Sequence, residues 1–291
     1  MRRGGYEITQ VVAGIDLSVI GRRVADRGRI IAEEAGHSLD LVHVMDTLNE
    51  AMIPSSLARL VDEHRQATAE ETAKWVRDRS DVPVNLEVYR GSPSWELVRL
   101  SKQADLVLAG SSSVDSDRVG PVAASVARMA SSDVLLVRRQ PRVSYRKVVA
   151  AVDMSEASKA AVGAVLRRFP GAEVTALFSL PTRFDPLLAE AGMFNEEISA
   201  SRSQRLEEAE LQMQEFAENW PGRIRPLVAD GPPEETISEM VRRRGADLVS
   251  VASRGAGATR MVLLGSVAEA VAAEAPCDVF IARVPSQFRR P

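Results

Sequence analysis

Residues 246–267 read "ADLVSVASRGAGATRMVLLGSV". They begin with an apolar run of the kind that forms a strand buried on both faces of a parallel sheet. A glycine-containing loop follows, and Gly265 and Ser266 then precede "VAEAVAAEA", a stretch rich in good helix formers. This order of strand, glycine loop and helix is typical of an α/β fold whose loops lie at the carboxyl ends of the strands.

The same arrangement occurs earlier in the chain. "ADLVLAGSSS" at residues 104–113 corresponds to "ADLVSVASRG" 142 positions later, and "VVAGIDLS" at residues 11–18 corresponds to "VVAAVDMS" 137 positions later. Asp133 in "SSDVLLVRR" corresponds to Asp278 in "APCDVFIAR", 145 positions later. Three matches in the same order indicate an internal duplication with small insertions and deletions.

Each half contains five apolar runs that alternate with helical stretches. This alternation predicts two doubly wound α/β domains of Rossmann-like type, each a five-stranded parallel sheet with helices on both faces. We expect the domains to span residues 1–140 and 145–291. The junction "RRQPRVSYR" at residues 138–146 is a short linker.

The composition limits the function classes. The net charge of −3 argues against a nucleic-acid binder, which needs a basic surface. Cys277 is the only cysteine, so an intrachain disulfide is impossible and a reducing compartment fits. The start "MRRGGYEITQ" lacks the apolar core of a signal peptide, and no apolar run is long enough to span a membrane. We therefore expect a cytoplasmic protein.

Asp153 and Ser155 follow the first apolar run of the second half, as Asp16 and Ser18 do in the first. Both residue types cap helix N-termini, and this is the simplest interpretation of Ser155. Asp153 stands two residues earlier, at the strand end. Its carboxylate could instead accept hydrogen bonds from a ribose hydroxyl or an adenine amino group, so both roles stay open.

The glycine loop and the helix after it contain residues suited to binding a phosphate group. Gly255 allows a positive φ and a close approach of the backbone to a ligand. Gly265 and Ser266 open a helix whose free N–H groups and positive dipole end suit a phosphate. Arg254 is either a solvated loop charge or a phosphate clamp. The pattern is neither "GxGxxG" nor "GxxxxGK[ST]", so the common nucleotide fingerprints do not apply.

These residues resemble the universal stress protein family, and the resemblance covers nearly the whole chain as two tandem domains. The nucleotide-binding branch of that family has Gly-x-x-Gly, nine residues, then Gly-Ser or Gly-Thr. Here residues 252–255 are followed by nine residues and by Gly265 and Ser266. The opening "AVDMS" and the closing "APCDVFIAR" are also similar to the family's first and last strands.

The resemblance implies pairing of domains through their last strands, a possible homodimer, and ATP, AMP or ADP as ligand, with Mg²⁺ accompanying the nucleotide. Carried over by position, the nucleotide-binding residues are Asp153, Val251, Ala252, Arg254, Gly255, Gly265, Ser266 and Val267. Two positions depart from the family pattern. Ala252 replaces the first glycine, and Ser179 stands where the family often has valine at the end of the second strand.

The first half departs further. After Gly110 and three serines, only six residues precede Gly120, and Pro121 removes a backbone donor where the second half has Ser266. Asp16 and Val44 are retained. We expect this half to bind ATP poorly and to serve as a scaffold or to hold a different ligand.

The expected function is that of a regulatory protein of the stress response, which binds an adenine nucleotide chiefly in its second half and acts through conformation or partner binding. The residues offer no positioned general base or metal ligand set beyond Asp153, so at most weak ATP hydrolysis is expected. The alternative is a nucleotide-independent scaffold that grips a protein or a lipid-like ligand through its apolar, proline-containing loops.

Overall fold

The computed structural model of the chain describes residues 10–46, 54–111, 119–180, 190, 195–253 and 264–283. These residues form ten strands and eight helices. They divide into two compact units, the first ending at Ser144 and the second beginning at Tyr145.

The first unit alternates strands and helices. Its strands β1 to β5 span Val11–Ile15, Leu39–Asp46, Val84–Gly91, Leu106–Gly110 and Asp133–Val137. Its helices α1 to α4 span Val19–Ala35, Ser55–Arg77, Pro93–Leu100 and Pro121–Met129. All strand pairs are parallel, in the order β3-β2-β1-β4-β5.

The second unit repeats this topology. Its strands β6 to β10 span Lys147–Val152, Glu173–Leu180, Ile224–Asp230, Leu248–Ala252 and Asp278–Ala282. Its helices α5 to α8 span Glu156–Arg168, Asn195–Ala217, Pro233–Arg244 and Ser266–Glu274. The strands are again parallel, in the order β8-β7-β6-β9-β10. The predicted fold class, two duplicated doubly wound α/β domains, is confirmed.

In the first unit, helices cover both faces of the sheet, as the contacts of two consecutive residues of β3 show. The Arg99 guanidinium of α3 lies 5.3 Å from the centre of the Tyr89 ring. The next residue, Arg90, forms an ion pair with Asp62 of α2. Because neighbouring strand residues point to opposite faces, α2 and α3 lie on opposite sides of the sheet.

Burial follows the predicted apolar runs. The fourth and fifth strands of each unit are buried along nearly their whole length. The outer strands β3 and β8 are more exposed, and β8 carries Pro226, which is tolerated at a sheet edge. Within the described parts of the chain, no helix is both long and apolar enough to cross a bilayer.

Aromatic rings fill the core of the second unit near the start of β10. Phe169 packs edge-on against Tyr145 and Phe280, with ring centres 5.1 and 5.7 Å away. The Tyr145 hydroxyl donates a 2.5 Å hydrogen bond to Asp278 Oδ2, and Asp278 is fully buried. Cys277, the residue before Asp278, is also fully buried, and as the single cysteine of the chain it forms no intrachain disulfide.

The segment after β5 is held by α1 within the first unit. The Arg23 Nη1 donates to the Arg138 carbonyl at 3.1 Å, and the Arg27 Nη1 donates to the Val143 carbonyl at 2.9 Å. Arg27 is only 5% exposed, so its guanidinium lies inside the structure. The polar segment predicted as a linker is therefore anchored at its start and near its end.

We predict that Tyr145→Phe lowers the free energy of unfolding by about 1.5–3 kcal/mol, because it removes a donor from a buried carboxyl group. Urea denaturation measures the loss. Tyr89→Phe is the matched control, since the Tyr89 hydroxyl bonds to Glu87 in an exposed position. Its removal should cost about 1 kcal/mol or less. Equal losses in the two variants would contradict the role given to the buried pair.

Candidate functional site

The strand order reverses at the centre of each unit. In the second unit β6 lies between β7 and β9, so the chain leaves β6 toward one side of the sheet and reaches β9 on the other. Ligands of open α/β sheets bind in the crevice outside the carboxyl ends of the strands at such a reversal. Asp153 follows β6 and Ala252 ends β9, so the sheet brings these two predicted residues to the same edge.

Asp153 is exposed, and its Oδ1 accepts three hydrogen bonds from Ser155, the residue before α5, and Ser158, in the first turn of α5. The donors are the Ser155 N–H at 3.1 Å, the Ser155 hydroxyl at 2.5 Å and the Ser158 hydroxyl at 2.5 Å. The carboxylate thus shapes the turn and still faces solvent at the site edge. Of the two roles left open by the sequence, helix capping falls to Ser155 and not to Asp153.

Ser155 is the N-cap of α5, as predicted. Its hydroxyl accepts a hydrogen bond from the Ser158 N–H at 3.2 Å. The first unit has the same device, since Ser18 caps α1 and its hydroxyl donates to Asp16 Oδ1 at 2.5 Å. Both aspartates therefore occupy corresponding positions, and each is bonded to the serine that caps the next helix.

The end of β9 contributes mainly backbone. Val251 is 3% exposed, so its side chain belongs to the core and a ligand would meet only its main chain. Ala252 is the last strand residue and pairs with Ala282 of β10. The next residue, Ser253, donates its N–H to the Ala282 carbonyl at 2.9 Å. Arg254 and Gly255, the other predicted loop residues, lie outside the described residues.

The helix predicted after the glycine loop is present. Gly265 is the N-cap of α8, with φ −68° and ψ 157°, and no described side chain caps this helix. Ser266 is the first helical residue and is exposed, and Val267 follows, half-buried. The first turn of α8 therefore has a backbone and a hydroxyl suited to an anionic ligand.

The corresponding helix of the first unit begins in almost the same conformation. Gly120 is the N-cap of α4, with φ −66° and ψ 159°, and Pro121 is its first residue. Pro121 therefore removes the N–H that Ser266 retains in α8. The Gly120 N–H donates to the Ser111 carbonyl at 2.9 Å, so the ends of the shorter loop are joined by a hydrogen bond.

The two units differ most where the first helix faces the end of the fourth strand. In the first unit, a Cβ added to Gly110 would lie 2.5 Å from Ile20 Cγ2, so the Ile20 side chain packs directly on the strand backbone. Ile20 is 5% exposed. In the second unit the equivalent positions hold Ala252 and Ala157. Where the first unit has the isoleucine side chain of Ile20, the second unit has only the methyl group of Ala157.

Ser179, the departure at the end of the second strand, is part of a buried network. Its hydroxyl donates to the Gly231 carbonyl at 2.7 Å and accepts from the Thr236 hydroxyl at 2.9 Å. Ser179 and Thr236 are each 8% exposed. The hydroxyl is therefore satisfied by the protein rather than left for a ligand.

Sequence reasoning did not single out Ile20, Ala157 or Ser158. A signal for them existed in the duplication: residues 16–21 and 153–158 align without a gap, and "IG" in the first copy is "AS" in the second. Only the structure shows that one of these positions faces the fourth strand and that the other bonds to the aspartate.

A sequence model of the universal stress protein family matches residues 7–138 and again residues 144–283. A universal stress protein from Methanocaldococcus jannaschii is 32% identical over 148 residues, which are 49% of this chain and 85% of that protein. A universal stress protein from Thermus aquaticus is 38% identical over 80 residues, which are 27% of this chain and 58% of that protein.

Solved structures match over almost the full length. A universal stress protein from Archaeoglobus fulgidus superposes with a TM-score of 0.67 at 17% identity, covering 96% of this chain and 99% of that one. A functionally unknown protein from Pseudomonas aeruginosa gives a TM-score of 0.69 at 14% identity, covering 97% and 94%. These two structures establish likeness of fold, whereas the two family matches establish kinship. The chain belongs to the universal stress protein family and carries two of its domains in tandem.

Proposed function

We propose that the second unit binds an adenine nucleotide, ATP or its products AMP and ADP, and that the chain acts in the stress response through conformation or partner binding. One observation carries the proposal. At the reversal of strand order in the second unit, an exposed carboxylate, Asp153, borders the same edge as the small residue Ala252. The chain continues from Ala252 to the first turn of α8, which no described side chain caps.

The chemistry of these groups fits the parts of a nucleotide. A carboxylate accepts hydrogen bonds from ribose hydroxyls or an adenine amino group, and the N-terminus of α8 with the Ser266 hydroxyl suits phosphate. The spacing of the glycine motif supports including Arg254 and Gly255 in the site. Val251, Gly265 and Val267 would contribute through their backbone or as apolar walls.

The difference between the units supports assigning the ligand to the second. Ile20 occupies space against Gly110 in the first unit, whereas the second has Ala157 and Ala252 at these positions. Pro121 also removes a donor that Ser266 keeps. The first unit would then act as a scaffold or take a different ligand.

The proposal is one of binding and regulation, with hydrolysis at most slow. Mg²⁺ would arrive with the phosphates of the nucleotide. Domain pairing through the last strands, a homodimer and a cytoplasmic location belong to the same proposal. The first two rest on the resemblance to the family, and the location rests on composition.

A nucleotide-independent interaction role is the second candidate. The loops on which it was placed span residues 46–60 and 181–194. Residues 47–53, 181–189 and 191–194 lie outside the described residues, and residues 55–60, expected to be loop, form the first turns of α2. One described feature favours it: Leu57 and Leu60, in the first turns of α2, are 48% and 64% exposed. Exposed apolar side chains close together suit contact with a partner.

Purified chain should release adenine nucleotide on denaturation or, if empty, bind ATP saturably in a calorimetric titration. This result is expected because the second unit retains the carboxylate, the small residues and the helix N-terminus. Absence of both co-purified nucleotide and saturable binding at millimolar ATP would contradict the nucleotide proposal and favour the interaction role.

Asp153→Ala should weaken ATP binding at least tenfold, since it removes a charged hydrogen-bond acceptor worth about 1.5 kcal/mol or more. Asp16→Ala is the matched control, because Asp16 makes the equivalent turn bonds to Ser18 and Gly21 in the first unit. The two variants lose similar structural bonds. If Asp16→Ala is the one that abolishes binding, the ligand belongs to the first unit.

Enlarging residue 157 should reduce ATP affinity in the order Ala157→Ser, Ala157→Val, Ala157→Ile. The isoleucine variant recreates the side chain that fills the first unit and should bind at least tenfold more weakly, because overpacking at a site commonly costs about 1–3 kcal/mol. Calorimetry gives the affinities, and thermal unfolding verifies that each variant is folded. An isoleucine variant that binds like the parent would show that this position does not border the ligand.

A further inference from the structure

Ser158 makes two hydrogen bonds to Asp153 with one hydroxyl group. The hydroxyl accepts from the Asp153 N–H at 2.9 Å and donates to Asp153 Oδ1 at 2.5 Å. Ser158 is 2% exposed, whereas Asp153 is exposed. A buried side chain thus holds the main chain and the carboxylate of an exposed residue at the same time.

The first unit holds its aspartate differently. Gly21 occupies the position of Ser158, and its backbone N–H donates to Asp16 Oδ1 at 2.9 Å. A Cβ on Gly21 would lie 2.0 Å from the Asp16 carbonyl oxygen, so that turn has no room for a serine. The two units therefore hold the corresponding aspartate by different hydrogen bonds, and the residue used in the second unit does not fit in the turn of the first.

The second unit accommodates Ser158 by a change of backbone. Met154 has φ 60°, and it is the one non-glycine with positive φ among the described residues. This conformation is unfavourable for a residue with a Cβ, and such residues concentrate at functional sites, where the surrounding structure maintains them. The Ser158 hydroxyl makes two hydrogen bonds to Asp153, the residue before Met154, and its oxygen lies 3.5 Å from the hydroxyl oxygen of Ser155, the residue after it. It is therefore in place to do so.

Helix capping alone does not require Ser158. Ser155 already caps α5, and Ser18 caps α1 in a turn with no side chain at the Ser158 position. The Ser158 hydroxyl is therefore an addition to a complete cap. Its effect falls on Asp153, whose side chain loses rotational freedom because Oδ1 is fixed by donors from Ser155 and Ser158.

We infer that Ser158 is a positioning residue for the nucleotide site, which holds the Asp153 carboxylate in the orientation that accepts a hydrogen bond from the ligand. The inference rests on the proposed function. Ser158 does not touch the ligand. It reduces the ordering cost of binding by fixing the acceptor beforehand.

The test is a pair of substitutions measured with ATP by calorimetry. Ser158→Ala removes the hydroxyl, and Ser158→Gly installs the residue with which the first unit forms this turn. Each should weaken ATP binding about tenfold. Thr175→Val is the matched control. Thr175 is 4% exposed and lies near the amino end of β7, whereas the candidate site lies at the carboxyl ends of the strands. This control should leave ATP affinity unchanged, and thermal unfolding of all three verifies folding.

A mutant cycle distinguishes positioning from direct contact or a general structural effect. In the Asp153→Ala background, with ATP raised to millimolar concentrations, Ser158→Ala should cost less than about twofold because there is no carboxylate left to hold. If the Asp153→Ala background has no measurable affinity, the single variants are compared instead. A tenfold loss of ATP affinity in the Ser158 variants but not in Thr175→Val supports the inference, and equal affinities in all three contradict it.

Three results would overturn the inference in different ways. Variants of Ser158 that bind ATP like the parent would remove the positioning role and leave the proposed function standing. A full tenfold loss on top of Asp153→Ala would mean that Ser158 acts on the ligand by another route. A parent chain that binds no ATP would remove the proposed function itself.

Discussion

A parallel sheet brings the carboxyl ends of all its strands to one edge, and here the chain leaves β6 in one direction and reaches β9 in the other. The candidate site depends on this constraint. It brings the turn after β6 to the edge where β9 ends, although about a hundred residues of chain separate them. The local sequence then determines how much space there is at this edge, through the size of the side chain at Ile20 or Ala157. It also determines which hydrogen bonds hold the aspartate.

The duplication shows how far such adjustment can go without changing the fold. At one position Ile20 contacts the backbone of the fourth strand, and its counterpart Ala157 has only a methyl group. At the next position Gly21 bonds through its N–H, and Ser158 bonds through its hydroxyl. Close packing makes the effect of each residue depend on its neighbours, so the energetic effects of substitutions at these positions are not expected to add.

Much of the fold could be predicted from the sequence, because buried parallel strands appear as continuous apolar runs and the repeat supplies each run twice. The helix start at Gly265 and the cap at Ser155 were predictable for the same reason, since both depend on local chemistry. The contact of Ile20 with Gly110 was not, because it joins residues far apart in sequence and depends on side-chain direction. The role of Ser158 could not be predicted either, because a serine is equally common on the exposed face of a helix.

Cys277 has a practical consequence for experiments on this protein. It is the only thiol in the chain and is fully buried at the start of β10. A reagent can modify it only when the surrounding core opens, so the rate of thiol labelling in native buffer reports the free energy of that opening. Because the first unit has no cysteine, the label reports on the second unit alone. Any molecule that binds the closed form of this unit will slow the labelling in proportion to its occupancy.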